Sequence, residues 1–194
     1  DAYRNRSVAL SLSHRFTDSL EAGMTVLDQR GKSEYDSTFA NSLPYNNYVF
    51  STSTAWLDAR INDVWQSRLE LGHAEDKLKD SDKTSPLSYA TNTYRDSVNW
   101  LNTLTLGNGH SILLGLDYLK DKVHSTNLYA VNSRYNKAAF AQYSYQGTSF
   151  GGELGVRHDN NEQFGSENTY NAAISYLINP DNQLIASYAE GFKA

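Results

Sequence analysis

Cysteine is absent from this 194-residue chain, and proline and methionine are scarce, at three and one. The missing cysteines exclude a disulfide scaffold and any thiolate metal site. No run of about 18 uninterrupted apolar residues occurs, which excludes a transmembrane helix. The chain carries no signal-peptide pattern, so any export signal is expected to be removed or to lie outside these residues. Positive charge is in deficit, with 17 basic against 22 acidic residues and a net charge of −5. A nucleic-acid-binding surface is excluded on that balance. The length suits one domain and is short for two.

What the chain does have is tyrosine: 14 of its 24 aromatic residues, with seven Phe and three Trp. Tyrosine favours places where one end of the ring is apolar and the other wet, such as interfaces and membrane belts. Alternation with period two runs from end to end, while helical periodicity is almost missing. Val8, Leu10 and Leu12 alternate with serines. Leu20, Ala22, Met24 and Val26 alternate with Glu21, Gly23 and Thr25, and Trp65, Leu69 and Leu71 with Gln66, Arg68 and Glu70. The same reading covers Val98 to Leu106, Phe150 to Val156, and Tyr170, Ala172, Ile174 and Tyr176.

Ten strands are predicted, at about 5–15, 19–29, 48–61, 64–74, 92–106, 110–120, 134–146, 149–158, 167–178 and 183–192. Such strands exceed the globular norm and match the roughly 9–11 residues that cross a bilayer at a tilt. Tight turns at Thr17-Asp18, Asn62-Asp63, Asn108-Gly109, Gly147-Thr148 and Pro180-Asp181 alternate with longer polar stretches read as loops near 30–47, 75–91, 121–133 and 159–166. All three prolines (Pro44, Pro86, Pro180) are read as lying in connections. Short turns at one rim and long loops at the other describe an all-β, antiparallel, up-and-down transmembrane barrel. The faces of 134–146 both carry aromatics, so the pattern leaves the orientation of that strand open.

Both chain ends fall on the long-loop rim, and the C-terminus lacks the terminal aromatic residue usual in bacterial barrels. The expectation is a segment of a longer polypeptide, the alternative a self-contained ten-stranded barrel. Two C-terminal stretches, Ile185-Ala186-Ser187-Tyr188-Ala189-Glu190-Gly191-Phe192-Lys193-Ala194 and Gly155-Val156-Arg157-His158-Asp159 followed by Phe164-Gly165, resemble the TonB-dependent outer-membrane receptor family. Within that family the likeness is greatest to cobalamin (vitamin B12) receptors. It includes His14-Arg15-Phe16-Thr17-Asp18 at a turn and Arg30-Gly31-Lys32-Ser33-Glu34-Tyr35-Asp36 entering a loop.

The resemblance implies a bacterial outer-membrane importer and a barrel of about 22 strands. It also implies an N-terminal plug domain and TonB box, neither of them present in these residues, through which TonB delivers energy. The implied partners are membrane lipid and cobalamin or another scarce nutrient. In cobalamin receptors, loop aspartates hold calcium, one of them after a tyrosine. Here Tyr35-Asp36 matches that position, and the second falls at Asn47, an amide that calcium accepts. Tyr35 and Tyr45 are the expected solute contacts, with Asp36 and Asn47 the expected calcium ligands. No cofactor is otherwise implied.

Three alternatives remain at this point, a ferric-siderophore receptor, a small barrel hydrolase and a soluble binding module. Ser13 and His14 are neighbours on a strand and point to opposite faces, so they form no catalytic pair. Asp80 and Asp82 lack the glycine and glutamate of an EF-hand and read as solvated loop, and the five histidines show no metal-ligand spacing.

Overall fold

The computed structural model describes residues 2–38 and 41–192; the Lys193-Ala194 end of the C-terminal motif lies outside them. Ten strands follow one another: β1 (Tyr3–Thr17), β2 (Leu20–Glu34), β3 (Pro44–Arg60), β4 (Trp65–Asp82), β5 (Ser85–Gly107), β6 (His110–Ser125), β7 (Ser133–Gln146), β8 (Phe150–Asn161), β9 (Gly165–Asn179) and β10 (Asn182–Ala189). They form one antiparallel meander in which each strand pairs only with its sequence neighbours. β1 and β10 do not pair with each other, so the sheet is open.

The short turns are built by local chemistry. Asn108 and Gly109 both take left-handed conformations, with φ of 53° and 83°. That is the geometry an Asn-Gly hairpin turn needs to match the strand twist. At the next turn of this rim towards β1, Asn62 Oδ1 accepts the backbone N–H of Val64 and of Trp65, both at 2.9 Å.

The side-chain arrangement is inverted relative to a water-soluble domain. Leu10, Leu69 and Ile174 are 58%, 39% and 56% exposed, whereas the buried residues include Asp159 and Asn161, at 4% and 5%. The register puts Ser11, Thr25, Thr54, Gly72 and Ser97 on one side, and Leu12, Met24, Ala55, Leu71 and Val98 on the other. The polar side is concave, because single recesses on it are lined from β5 through β9. The apolar side is convex. A wall with hydrocarbon outside and water inside sorts its side chains in this way.

Glycines let large side chains lie flat against the concave face. A Cβ at Gly23 would stand 2.5 Å from the Trp56 ring, and one at Gly115 would stand 2.1 Å from Phe140. Gly115 is directly across from Phe140 in the register, which settles the orientation of β7. Phe140 and Ala138 face the concave side, while Tyr135, Lys137, Tyr143 and Tyr145 face outward.

The apolar band crosses the hydrogen-bonded rungs diagonally. The rung Leu12–Met24–Ala55–Leu71–Val98 runs on through Tyr118 to Lys137, leaving the band as it reaches β7. Strands tilted to the barrel axis produce this offset.

Three sequence expectations need correction. The stretch 75–91 is not a loop, since β4 runs to Asp82 and β5 starts at Ser85. The connection 159–166 likewise shrinks to a turn between Asn161 and Gly165. Both faces of these strand ends are polar, so they lack the alternation that marks a half-apolar strand. For the same reason Pro44 and Pro86 lie inside strand ends, Pro44 as the first residue of β3. The longer connections are those from Glu34 to Pro44 and from Ser125 to Ser133, both on the same rim.

Candidate functional site

The concave face of β5–β8 carries a self-neutralising ladder. Asp117, Ala138 and Asp159 share one rung, and Arg157 stands one residue pair further along, across from Phe140. Arg157 donates from Nε and Nη2 to Asp159 at 2.8 and 3.1 Å, and from Nη1 to Asp117 at 2.6 Å. Its guanidinium lies 5.6 Å from the Phe140 ring centroid. Asn136 Nδ2 donates to Asp159 at 2.8 Å. On the loop side, Arg95 grips Asp121 with two hydrogen bonds of 2.7 and 2.9 Å, and Arg134 Nε lies 3.7 Å from the same carboxylate. Three guanidinium groups thus face three carboxylates, and paired forks of this kind hold their geometry well.

A second cluster lies at the short-turn end of the same face. Arg68 binds Asp58 at 2.7 Å and Glu70 at 3.2 Å, with its guanidinium 4.9 Å from the Trp56 ring. Arg15 and Glu21, which pair across β1 and β2 on the same rung as Asp58, are 3.3 Å apart.

At the loop rim, Asp82 ties two connections together. It accepts hydrogen bonds from Ser42 Oγ, from Leu43 N at 3.2 Å, and from Thr84 N and Oγ1 at 2.7 and 2.6 Å. These donors, the Ser42 hydroxyl foremost, hold its carboxyl far below the usual carboxylate range. Beside it Glu34 accepts from Lys83 at 2.7 Å and Lys32 at 2.9 Å. The two ammonium groups, Lys83 first, lower its pKa to about 2.

The predicted site residues meet this rim unequally. Tyr35 lies just past β2, with its N–H bonded to Pro44 O at 3.3 Å. Desolvation of its phenol first, and then the negative charge of the Asp80 carboxylate, raise its pKa. Asp36 is exposed on the loop. Tyr45 is half-buried, with Lys32 Nζ 4.2 Å from its ring centroid. Asn47 stands on the convex face between Lys32 and Lys79 in the register. Asp36 and Asn47 are therefore not brought together, because an odd position on β3 faces outward and Asp36 lies beyond the end of β2. Among the described residues no three His, Asp or Glu side chains group as a metal site. These residues alone do not fit calcium: Asn47 is flanked by cations, and the oxygens of Asp82 are already engaged.

Sequence reading missed both the Asp82 clamp and the Arg157 ladder. The signal for the ladder was present as charged residues at same-face spacing, Arg157 with Asp159 and Asp117 with Asp121, on an otherwise serine- and threonine-rich face.

A family model described as TonB dependent receptor-like, beta-barrel, matches residues 1–194. The chain belongs to the TonB-dependent receptor β-barrel family. Members of this family are transporters of the bacterial outer membrane, not enzymes, which removes the hydrolase alternative. Among curated relatives, the vitamin B12 transporter BtuB of Photobacterium profundum is 26% identical over 196 residues, covering 100% of this chain and 32% of that protein. BtuB of Vibrio cholerae serotype O1 (strain ATCC 39541) is 23% identical over 99% of this chain and 32% of its own length. The chain therefore spans about a third of the length of these relatives. Among solved structures, the FrpB iron transporter of Neisseria meningitidis superposes with a TM-score of 0.78 at 9% identity, covering 96% of this chain and 36% of that one. The alcaligin receptor FauA of Bordetella pertussis gives 0.75 at 17% identity, covering 96% and 35%. These two likenesses establish the barrel fold.

Proposed function

We propose that these residues form a sector of the barrel wall of a receptor that imports cobalamin across the outer membrane, energised by TonB through a plug domain carried elsewhere in the polypeptide. The observation that supports the solute is the alignment of the whole chain with vitamin B12 transporters. The wall contributes a fully paired, lipid-sealed sheet with a polar inner face, and unpaired backbone groups are expensive in hydrocarbon. The open edges of β1 and β10 are on this reading closed by further strands of the same receptor.

Tyr35 and Asp36, at the mouth, are the residues proposed to meet the solute side. Calcium at Asp36 requires carboxylates from outside the described residues. Tyr45 and Asn47, engaged with or flanked by lysines, are not carried into this proposal.

The test is competition of labelled cyanocobalamin against unlabelled cobalamins and ferric siderophores on outer-membrane vesicles bearing the intact receptor. Displacement by cobalamins alone supports the assignment. High-affinity binding of a ferric siderophore without cobalamin binding overturns it and leaves the wall architecture standing.

A further inference from the structure

The pairing of β2 with β3 ends on the rung that joins Glu34 to Tyr45. One further bond, from Tyr35 N–H to Pro44 O at 3.3 Å, carries it a step beyond the ladder. Tyr35 and Asp36 thus stand where the ladder gives out, and their placement depends on how firmly Pro44 is held. Pro44 is a weak anchor by itself. It lies across from Asp82 in the register and has no N–H to give to the β3–β4 ladder.

The tip of the β4–β5 hairpin, residues 82–84, supplies the missing hold. Asp82 Oδ1 accepts Leu43 N–H at 3.2 Å, while Lys83 N–H donates to Leu43 O at 3.1 Å, so the tip grips both backbone groups of Leu43. Asp82 Oδ2 accepts from Ser42 Oγ. Because Leu43 precedes a proline, its own backbone is confined to extended conformations. Lys83 also reaches the strand on the far side, with Nζ 2.7 Å from the Glu34 carboxylate, one residue before Tyr35. The tip is stiffened in turn by Thr84, whose N–H and Oγ1 donate to Asp82 Oδ1 at 2.7 and 2.6 Å. Hydrogen bonds to an ionised carboxylate are stronger than neutral ones. A continuous chain of bonds therefore runs from Asp82 through Leu43 and Pro44 to Tyr35.

We propose that Asp82 is a positioning residue for solute capture: through Ser42 and Leu43 it fixes Pro44, and with it the placement of Tyr35 and Asp36 before the solute arrives. The inference rests on the reading of Tyr35 and Asp36 as solute contacts. Affinity scales with the fraction of receptors in which the contacting residues are already in place, so an ordered rim binds more tightly than a loose one. The Asp82 carboxylate accepts four hydrogen bonds from Ser42, Leu43 and Thr84. Its oxygens are engaged by the protein, and it acts through its neighbours rather than on the solute.

The test measures cyanocobalamin binding and uptake by the intact receptor in cells that carry TonB. Asp82→Ala is expected to raise Kd and the half-saturating concentration for uptake about tenfold, the loss that follows if the contacts are in place in about a tenth of receptors. The saturated uptake rate is expected to stay within about twofold of wild type, because only binding is affected. Asp82→Asn is expected to recover most of the affinity, since its amide oxygen can replace Oδ1 and its NH2 group can donate to Ser42 Oγ. A carboxylate acting by its charge on the solute or on a cation would fail equally in both variants. Equal losses in Asp82→Ala and Asp82→Asn therefore overturn the proposal, as does an unchanged Kd in Asp82→Ala. Should Asp82→Ala not assemble, Ser42→Ala takes its place with a smaller rise in Kd, and no rise overturns the proposal. If the wild-type receptor binds no cyanocobalamin, the solute assignment fails, and hydrogen exchange at the Tyr35 N–H decides the positioning role separately. Faster exchange in Asp82→Ala with near-wild-type exchange in Asp82→Asn supports it, and equal exchange in all three overturns it.

Discussion

Arg157 on β8 reaches over the methyl group of Ala138 on β7 to bind Asp117 on β6, with Nη1 2.6 Å from Oδ2. Ala138 is 7% exposed and lies between the two carboxylates that the guanidinium bridges. A larger side chain there must push the guanidinium aside. Ala138→Leu is expected to destabilise the intact receptor by about 1–3 kcal/mol. Arg157→Gln, which leaves Asp159 buried without its cation, is expected to cost about 2 kcal/mol after allowance for the one-third exposure of the arginine. Urea unfolding in lipid vesicles measures both, and a midpoint unchanged in both variants would show that the ladder contributes nothing.

The Asn108-Gly109 turn distinguishes two glycines of similar conformation. Gly107 and Gly109 have φ of 84° and 83°. A Cβ at Gly107 meets nothing within 4 Å, whereas one at Gly109 would stand 2.0 Å from Gln146 O. Gly107→Ala is expected to cost about 1–2 kcal/mol from the left-handed backbone alone. Gly109→Ala adds a clash with main chain and should cost clearly more. Equal unfolding midpoints for the two variants would contradict that ranking.

Loop-rim order should depend on acid in a defined window. Glu34 has an ordinary pKa of 4.5, lowered to about 2 in the folded rim by Lys83 and Lys32. A depressed folded-state value stabilises the folded rim above pH 4.5, and that stabilisation fades as pH falls from 4.5 towards 2. Hydrogen exchange at Leu43 and Lys83, corrected for intrinsic rates, should be flat from neutral pH to about 4.5 and accelerate below it. Lys83→Gln should leave the onset near pH 4.5 and shrink the acceleration below it, and an acceleration of unchanged size would assign the acid response to another group.

Face, rather than position in the chain, should govern the effect of a new charge. Leu69 faces outward in the middle of the β4 apolar stretch, and Thr54 faces the polar concavity. Leu69→Arg is expected to cost about 2–4 kcal/mol on insertion into lipid. Thr54→Arg should stay within about 0.5 kcal/mol. Folding yields into vesicles separate the two, and similar losses would mean that lipid does not lie against Leu69.

The fold was legible where one face of a strand was apolar. Leu10, Leu69 and Ile174 declared their strands because their neighbours in sequence were polar. Beyond the bilayer both faces meet water, so residues 75–91 lost that contrast and read as a loop although they form the longest hairpin arm. β7 was ambiguous for a different reason: Phe140 is an aromatic residue on the wet side, lying in the space that the missing side chain of Gly115 leaves. No reading of one strand shows a complementarity that spans two. The same limit hid the Asp82 clamp, whose donors at Ser42 and Leu43 come from a connection 39 or 40 positions away.

The oblique course of the greasy zone over the ladder has a consequence for assembly. Shifting a strand by two positions leaves every residue on its proper side, so sidedness alone tolerates the error. Altitude does not. Such a slip on β7 would drag the Lys137 ammonium down among acyl tails, while the same slip on β1 would draw the Arg6 guanidinium inward. Misaligned pairings that look acceptable in a flat drawing are thus penalised by depth, and the membrane itself proofreads the stagger.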